Sequence, residues 1–277
     1  AYTASALANM AEELGKKEDA DTLKWLAKGW ERIFDESTGF VRPRQADGTF
    51  MKDFNPMQVW RGFQEGNAWQ YTFYVPHDPQ GLIEKVGKDV FVDRLDSIFT
   101  VSRKDIFSGG RNIDAFAGLQ TVYNHGNQPC LHISWLFSAA GRPSLTRKWT
   151  RLILDEFYGC KGIHGYGYGQ DEDQGQLGAW YVMGAMGLFD VAGLTDKEPS
   201  FAIGSPLFDK ITIKLNPDYY PGGKFEIVTK NNSKENIHIE SAELSGKPFE
   251  AHRIPFKTIA EGGQLTLDMT ATPTENL

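Results

Sequence analysis

The spacing of apolar residues changes after Pro199, and this change constrains the fold more than any other feature of the sequence. Before Pro199, apolar residues recur at three- and four-residue steps, the spacing of one buried helix face. After it, segments such as Lys210–Leu215 and Phe225–Thr229 alternate between apolar and polar residues, as half-buried strands do. The sequence therefore predicts two regions, residues 1–199 and 200–277.

The same spacing predicts individual helices and strands, and we expect a mainly α region followed by β-strands. Pro79, Pro129 and Pro143 each stand at a first helical turn, where the missing N–H is not needed, and Gly39 is the stop signal after the helix that starts at residue 17. The predicted helices span residues 17–34, 79–86, 88–103, 129–140, 143–157 and 174–188. The predicted strands span residues 210–215, 225–229, 237–240 and 264–268.

Two features indicate that the chain belongs to a larger fold. Residues 1–8 have a helical pattern from the first position, with neither a capping residue nor an initiating Met, which we interpret as the C-terminal part of a longer protein. The short strands after residue 200 need a second face or edge to be covered, which favours strands that complete a sheet held elsewhere.

Composition argues against several classes of function. Lys plus Arg number 29 and Asp plus Glu number 36, so the formal net charge is 29 − 36 = −7, without long like-charge blocks. This balance argues against a nucleic-acid-binding surface. No apolar run reaches the roughly 18 residues of a membrane span. Cys130 and Cys160 form no C-x-x-C pair, and we predict free thiols.

The first segment with candidate chemistry is E-G-N-A-W-Q-Y, which begins at Glu65. A Glu beside a Gly and followed by aromatic residues can be partly desolvated, and desolvation raises a carboxyl pKa toward the range that a general acid needs. The same segment is compatible with a solvated Glu at a helix start whose aromatic neighbours belong to the core.

The second segment carries three consecutive carboxylates, Asp171, Glu172 and Asp173. Such groups repel one another unless water, a cation or separate roles relieve them, and Asp171 and Asp173 lie on one side of an extended loop. They are therefore candidates to activate one water molecule. The alternative is an acidic cap on the helix predicted over 174–188, which the helix dipole favours, and the two interpretations are compatible.

The third segment, Tyr123–Pro129, contains Asn127 and Gln128, whose amide oxygens are hard ligands suited to Ca²⁺. No EF-hand spacing accompanies them, so the alternative is a plain Asn-Gln-Pro turn that opens a helix. His125 and His132 are compatible with hydrogen-bonded histidines of the core.

Taken together, the three segments are typical of a sugar-cleaving cleft. Separate carboxylates supply an acid and a base, and aromatic rings stack on the apolar faces of pyranoses. The sequence lacks the G-x-S-x-G elbow, the G-x-x-x-x-G-K-[ST] loop and the H-E-x-x-H helix that would indicate other chemistries.

Four motifs in a fixed order make the chain resemble glycoside hydrolase family 92, a family of calcium-dependent, inverting exo-α-mannosidases. The motifs are E-G-N-A-W-Q-Y at 65–71 with V-P-H-D at 75–78, G-N-Q-P at 126–129, D-E-D-Q-G-Q at 171–176 with A-W-Y at 179–181, and I-G-S-P-L-F at 203–208. The resemblance covers nearly the whole chain. It implies hydrolysis of terminal, non-reducing α-linked mannose in glycans.

The resemblance also implies an architecture. Residues 1–199 would be the later helices of an (α/α)₆ toroid, and residues 200–277 would be antiparallel strands that complete a β-sandwich domain. The sandwich and the early toroid helices, which the sequence does not contain, would be partners within the same longer protein. The family's glycan substrates imply a periplasmic or secreted location, and neither a nucleic acid nor a membrane span is expected.

Roles for single residues follow from the same resemblance. Glu65 corresponds to the general acid, Asp173 to the general base, and Asp171 to the partner of that base. Asn127 and Gln128 correspond to the turn associated with Ca²⁺. The positions implied in substrate binding are Trp69, His77, Asp78, His125 and Gln176.

Two alternatives to a mannosidase remain compatible with the sequence. One is a toroid glycosidase that acts on another α-linked sugar. The other is a noncatalytic, calcium-dependent glycan-binding subunit, although the presence of both Glu65 and Asp173 argues against it.

Overall fold

The computed structural model of the chain describes residues 1–106, 121–159, 175–275 and 277, with side chains described outside 104–106. The described residues divide into two compact units. The first unit contains residues 1–106, 121–133, 157–159 and 195–197, and the second contains residues 134–156, 175–194, 198–275 and 277.

Helices dominate the first unit. Its helices are α1 (Tyr2–Glu13), α2 (Lys17–Ala27), α3 (Ala68–Tyr71), α4 (Pro79–Val86) and α5 (Lys88–Ile106). Helix α1 starts after Ala1 without a side-chain cap, whereas α4 starts at the predicted Pro79 with Asp78 as its cap. None of the described helices combines the length and apolar composition that a membrane crossing requires.

The helix predicted over 17–34 is shorter than expected. The α-helical part ends at Ala27, and a 3₁₀ segment, Lys28–Arg32, follows it. Strands β1 (Phe34–Asp35) and β2 (Phe40–Val41) then form a small hairpin. Its turn is stabilised because the Asp35 carboxylate accepts hydrogen bonds from the main chain and the hydroxyl of residue 37. The prediction of one helix ending before Gly39 was therefore wrong.

The single helix predicted over 129–140 was also wrong. The chain forms two 3₁₀ segments, Gln128–Cys130 and Ile133–Trp135, and a short helix α6, Leu136–Ala139. All five side chains from residue 133 to residue 137 are completely buried. A segment buried on every side has no amphipathic face, so tertiary packing rather than helical periodicity sets its conformation.

The second unit combines helices with two β-sheets. Its remaining helices are α7 (Pro143–Glu156), α8 (Gln176–Met186) and α9 (Phe256–Ala260). A three-stranded sheet has the order β3 (Leu188–Phe189), β4 (Ser200–Ile203), β9 (Arg253–Pro255). A five-stranded sheet has the order β5 (Lys210–Lys214), β6 (Lys224–Lys230), β10 (Gly263–Thr270), β7 (His238–Leu244), β8 (Lys247–Pro248).

The four predicted strands are confirmed as β5, β6, β7 and β10, but their pairing is not wholly antiparallel. Strand β10 pairs with β6 in parallel, with Leu265 opposite Ile227, and with β7 antiparallel. A parallel pair requires a long crossover, and the chain between β6 and β10, which includes β7 and α9, provides it. The antiparallel expectation is therefore corrected for this central pair.

Alternation along the strands builds the core of the second unit. Phe225 and Ile227 of β6 and Leu265 and Leu267 of β10 are at most 1% exposed, while the residues between them are more exposed. The wider cluster adds Leu188, Ile203, Ile239, Ala242, Ile254, Ile259, Met269 and Leu277.

The I-G-S-P-L-F motif has a structural role in this unit. Arg151 on α7 is 7% exposed and donates from Nε to the carbonyl (3.1 Å) and hydroxyl (3.0 Å) of Ser205. A Cβ on Gly204 would lie 2.7 Å from the Trp135 ring, so the close approach requires glycine. The motif thus fixes the chain where the helical part meets the strands of this unit.

We expect Phe225→Ala to lower the free energy of unfolding by about 3–5 kcal/mol, because it leaves a cavity in the core of the second unit. Phe208→Ala is the matched control, since Phe208 belongs to the same unit and is 56% exposed. Its loss should stay within about 1 kcal/mol. Chemical denaturation of the two variants measures both values, and equal losses would contradict the assigned core.

Candidate active site

Glu65 lies in the first unit, in the loop before α3, and its side chain is exposed. Of the two interpretations drawn from the sequence, the exposed position agrees with a solvated Glu and not with partial desolvation by aromatic neighbours. Its backbone is unusual, with a φ of 52°, the left-handed region that few non-glycine residues occupy. The Asn127 side-chain amide donates a hydrogen bond to the Glu65 carbonyl. The structure thus brings together the residues predicted as acid and as calcium ligand.

Two further amides dock the Glu65 segment against the segment that leads to Asn127. Asn67 and Gln70 are completely buried, and each donates from its side-chain nitrogen to the carbonyl of Thr121 at 2.9 Å. The Asn67 oxygen also accepts from the backbone N–H of Trp69 (3.0 Å), so Asn67 caps α3. We call the bonds from Asn67 and Gln70 to Thr121, together with the bond from Asn127 to Glu65, the amide clamp.

The residue after Glu65 must be small. A Cβ on Gly66 would lie 2.8 Å from Gln70 Oε1 and 2.9 Å from the Tyr71 ring. The Tyr71 hydroxyl donates to the carbonyl of Gln64, which fixes the other side of the loop. Burial, followed by the nearby Cys130 and Glu65, raises the pKa of Tyr71, so its hydroxyl stays protonated and able to donate.

A cavity of about 630 Å³ adjoins this loop within the first unit. The residues that line it include the aromatic residues Trp30, Phe63, Tyr71 and Tyr74, together with Gln64. This volume lies in the range of small-molecule sites, and aromatic walls suit the apolar faces of sugar rings.

The turn that carries Asn127 and Gln128 is stabilised by hydrogen bonds to Asn124. The Asn124 side chain accepts from the Gly126 N–H (3.1 Å), and its carbonyl accepts from the Asn127 N–H (3.1 Å). Asn127 is 7% exposed and Gln128 is half-buried. Because the Asn127 nitrogen points to Glu65, its Oδ1 atom is the end suited to a cation.

The donor set at this turn fits calcium in type. Amide and carbonyl oxygens are hard ligands, and Ca²⁺ takes six to eight of them, so Asn127 and Gln128 supply only part of such a shell. Within the described ranges, no group of three or more His, Cys, Asp or Glu side chains is placed to hold a metal ion.

His125 is completely buried between two tyrosines. The Tyr123 hydroxyl lies 2.6 Å from Nδ1 and the Tyr158 hydroxyl lies 3.0 Å from Nε2. Burial lowers the pKa of His125 to about 3, so the imidazole is neutral at physiological pH. This placement favours a structural role, and contact with a substrate stays a prediction.

The other predicted substrate contacts of the first unit have structural partners. Trp69 packs edge-on against Phe40 at 4.9 Å between ring centroids. His77 Nε2 lies 3.0 Å from the carbonyl of Ala27, and burial lowers the pKa of this histidine. Asp78 accepts from the Gly81 N–H at 3.0 Å as the cap of α4.

The predicted base and its partner, Asp173 and Asp171, lie outside the described residues, as does Cys160. Gln176 belongs to the second unit, where it is the first residue of α8 and is exposed. Cys130 is a buried free thiol, as predicted, and burial raises its pKa to about 12.

Comparison with known proteins identifies the family. The sequence matches the model of the glycosyl hydrolase family 92 catalytic domain over residues 1–271. This chain belongs to glycosyl hydrolase family 92. The resemblance drawn from the motifs is thereby confirmed, and the chain is assigned to a family of glycosidases.

Two solved family 92 enzymes from Bacteroides thetaiotaomicron are similar to the chain. An inverting mannosidase is 31% identical with a TM-score of 0.82, over 99% of this chain and 37% of that protein. An α-mannosidase solved with mannoimidazole is 30% identical with a TM-score of 0.84, over 99% of this chain and 35% of that protein.

A curated relative is also similar. A protein from Arthroderma benhamiae named "Uncharacterized secreted glycosidase" is 26% identical over 208 residues, 74% of this chain and 23% of that protein. The chain therefore spans between 23% and 37% of the length of these relatives.

Sequence reasoning gave no role to three residues that shape this candidate site. Thr121, Tyr123 and Tyr158 matter through a main-chain carbonyl or a hydroxyl, and of these only Tyr123 lies in a segment that the sequence singled out. The adjacency of Tyr123 to Asn124 and His125 was the available signal, because a buried histidine needs partners on both nitrogens.

We expect buried His132 to make the protein acid-sensitive. It is 5% exposed, it donates from Nε2 to the carbonyl of Phe73 at 2.7 Å, and burial lowers its pKa to about 4. Between pH 6.5 and 4 the unfolded histidine takes up a proton that the folded one does not, so stability falls as pH falls through this window.

His132→Gln keeps a donor for Phe73 and removes the titration. The unfolding free energy of the variant minus that of the wild type should rise by roughly 2 kcal/mol when the pH is lowered from 7 to 4.5, because only the wild type loses stability through this histidine. Urea denaturation at both pH values measures this gain, and any packing cost of glutamine cancels in the comparison. A difference that stays constant with pH would contradict the assignment.

Proposed function

We propose that the chain is part of an exo-acting α-mannosidase that removes terminal, non-reducing α-linked mannose from glycans by a single-displacement, inverting mechanism assisted by calcium. The observation that carries this proposal is the amide clamp, in which Asn127 of the G-N-Q-P motif holds the carbonyl of Glu65 in the E-G-N-A-W-Q-Y motif. Two segments implied in one reaction thus meet in space. The mannosidases similar to the chain add support for mannose.

The proposal includes the architecture of the longer protein. Residues 1–199 would belong to an (α/α)₆ toroid, and residues 200–277 would complete a β-sandwich supplied by another part of the protein. The share of the solved relatives that the chain covers, 35–37%, leaves room for that sandwich and for the early helices.

In this mechanism Glu65 is the general acid, which protonates the glycosidic oxygen as the bond to the leaving group breaks. Its clamped backbone fixes the start of the side chain, and its exposed carboxyl can reach a substrate oxygen. The aromatic cavity beside the loop suits a sugar ring of the substrate.

Asp173 is the proposed general base, with Asp171 as its partner. The base takes a proton from a water molecule that attacks the anomeric carbon from the opposite face of the sugar. Inversion requires its carboxyl and that of Glu65 to lie roughly 6.5–9.5 Å apart, so that the water fits between them.

The residues proposed to serve substrate binding, directly or through the loops that they fix, are Trp69, His77, Asp78, His125 and Gln176. Because His125 is completely buried, it would act by fixing the turn at Asn127 rather than by touching the sugar. Asp78 would likewise act mainly through the start of α4.

Asn127 and Gln128 are the proposed calcium ligands of this chain. When bound, Ca²⁺ would supply Lewis-acid polarisation and a template for the sugar hydroxyls. The chain's own part is to present the Asn127 amide oxygen beside the Glu65 loop. We also propose a secreted or periplasmic location, which the name of the Arthroderma benhamiae relative supports.

The direct test follows the product of α-mannoside hydrolysis by proton NMR. We expect β-mannose to form first, chelation by EGTA to stop the reaction, and added Ca²⁺ to restore it, because inversion and the metal are both part of the mechanism. α-Mannose as first product would contradict inversion, and resistance to EGTA would contradict the metal. Release of another sugar, or binding without a product, would favour the two alternatives raised by the sequence.

We expect Glu65→Gln to slow hydrolysis of an unactivated α-mannoside by roughly 10²–10⁴-fold, because the acid that protonates the leaving group is lost. An aryl mannoside with a good leaving group needs little protonation and should lose much less. Glu84→Gln, at an exposed position of α4, is the matched control and should keep the wild-type rates. Equal losses on both substrates would exclude Glu65 as the acid.

A further inference from the structure

The backbone of Glu65 is held in a conformation that its own side chain does not favour. Its φ of 52° is in the left-handed region, where the Cβ of a non-glycine residue crowds the following carbonyl. Such a conformation persists only where the surroundings impose it, and it is enriched at functional sites. The contact that fixes the Glu65 carbonyl is the bond from the Asn127 side-chain nitrogen.

Asn127 is suited to impose this conformation because it is itself immobilised. Its side chain is 7% exposed, and its N–H donates to the carbonyl of Asn124. Its own carbonyl accepts from the Cys130 N–H at 2.9 Å. Two residues earlier, His125 is held between the hydroxyls of Tyr123 and Tyr158.

We propose that Asn127 is a positioning residue for Glu65, which aims the carboxyl by holding the main chain of the acid through its side-chain N–H. The proposal rests on the proposed function, in which Glu65 is the general acid. The two ends of the Asn127 side-chain amide then have different tasks, because Nδ2 holds the Glu65 carbonyl while Oδ1 is the end that can bind calcium.

Asn127→Asp distinguishes the two ends. Aspartate keeps the shape and the oxygen ligands of asparagine but replaces the donor with an oxygen that repels the Glu65 carbonyl. Asn127→Ala removes both ends without adding a charge, and it replaces the aspartate variant if that one does not fold.

The chain offers a matched control for this bond. Asn236 donates from Nδ2 to the carbonyl of Asn231 at 2.7 Å, and Asn231 has a φ of 57°. Asn236→Asp therefore breaks the same kind of contact, to another left-handed residue, in the second unit. This variant should keep wild-type kinetics.

The experiment measures kcat and KM for the protein at its full natural length on dinitrophenyl, nitrophenyl and methyl α-mannosides. In Asn127→Asp we expect kcat to fall about tenfold or more for the methyl mannoside and far less for the dinitrophenyl mannoside, with KM changed less than kcat. Calcium titration followed by calorimetry should show binding at least as tight as in the wild type, because the oxygens remain.

A loss that is equal for all three leaving groups, or that follows weakened calcium binding, would overturn the proposal. Unchanged rates in both Asn127 variants would overturn it as well. Rescue of Asn127→Asp by raised Ca²⁺ would show that this residue acts through the metal alone.

A measurement that does not depend on catalysis tests this proposal separately from the proposed function. Hydrogen–deuterium exchange of the peptide that covers residues 64–70 should be faster in Asn127→Asp than in the wild type and unchanged in Asn236→Asp. If the wild type hydrolyses no mannoside, the proposed function fails, while faster exchange still supports the clamp and unchanged exchange overturns it.

Discussion

Side-chain amides that bind main-chain carbonyls are the interaction on which the candidate site depends. Asn67 and Gln70 donate to Thr121, and Asn127 donates to Glu65, so two loops far apart in sequence are docked by these bonds. Each bond adds only about 1 kcal/mol in net terms, but an unpaired buried polar group costs about 1–3 kcal/mol. A shift of one loop against the other would leave these buried polar groups unpaired, so the docked arrangement is the more stable one.

Both units hold loop segments in place by buried polar side chains that donate to main-chain carbonyls. In the first unit, His132 donates to the carbonyl of Phe73, and its lowered pKa keeps it neutral. In the second, buried Arg151 donates to the carbonyl of Ser205. Non-repetitive backbone cannot satisfy its own carbonyls, so rigid loops of this kind require buried polar side chains as partners. These residues look like ordinary core or charged positions in the sequence.

Much of the fold was predictable where local signals agree. Strands β6 and β10 alternate with period two, and α4 begins at Asp78-Pro79 as its cap and Pro indicate. The conformation of residues 129–140 could not be predicted because full burial of residues 133–137 overrides periodicity. Of the candidate site, motifs indicated Glu65 and Asn127 separately. Their contact joins residues 62 positions apart, which no local pattern encodes. The base proposed at Asp173 and its partner Asp171 remain predictions.

The contrast between the main chain and the side chain of Glu65 has a mechanistic consequence. The sequence left open whether aromatic neighbours desolvate Glu65 or whether it is solvated, and in the structure Tyr71 directs its hydroxyl to Gln64 while the Glu65 side chain is exposed. What the fold immobilises is the Glu65 backbone, at a strained φ. A fixed backbone removes the main-chain part of the freedom that Glu65, as the proposed acid, would otherwise lose when it meets a substrate oxygen, and it leaves the side-chain part. The preorganisation proposed for this residue is therefore a property of the loop that precedes α3 and not of the carboxyl's own contacts.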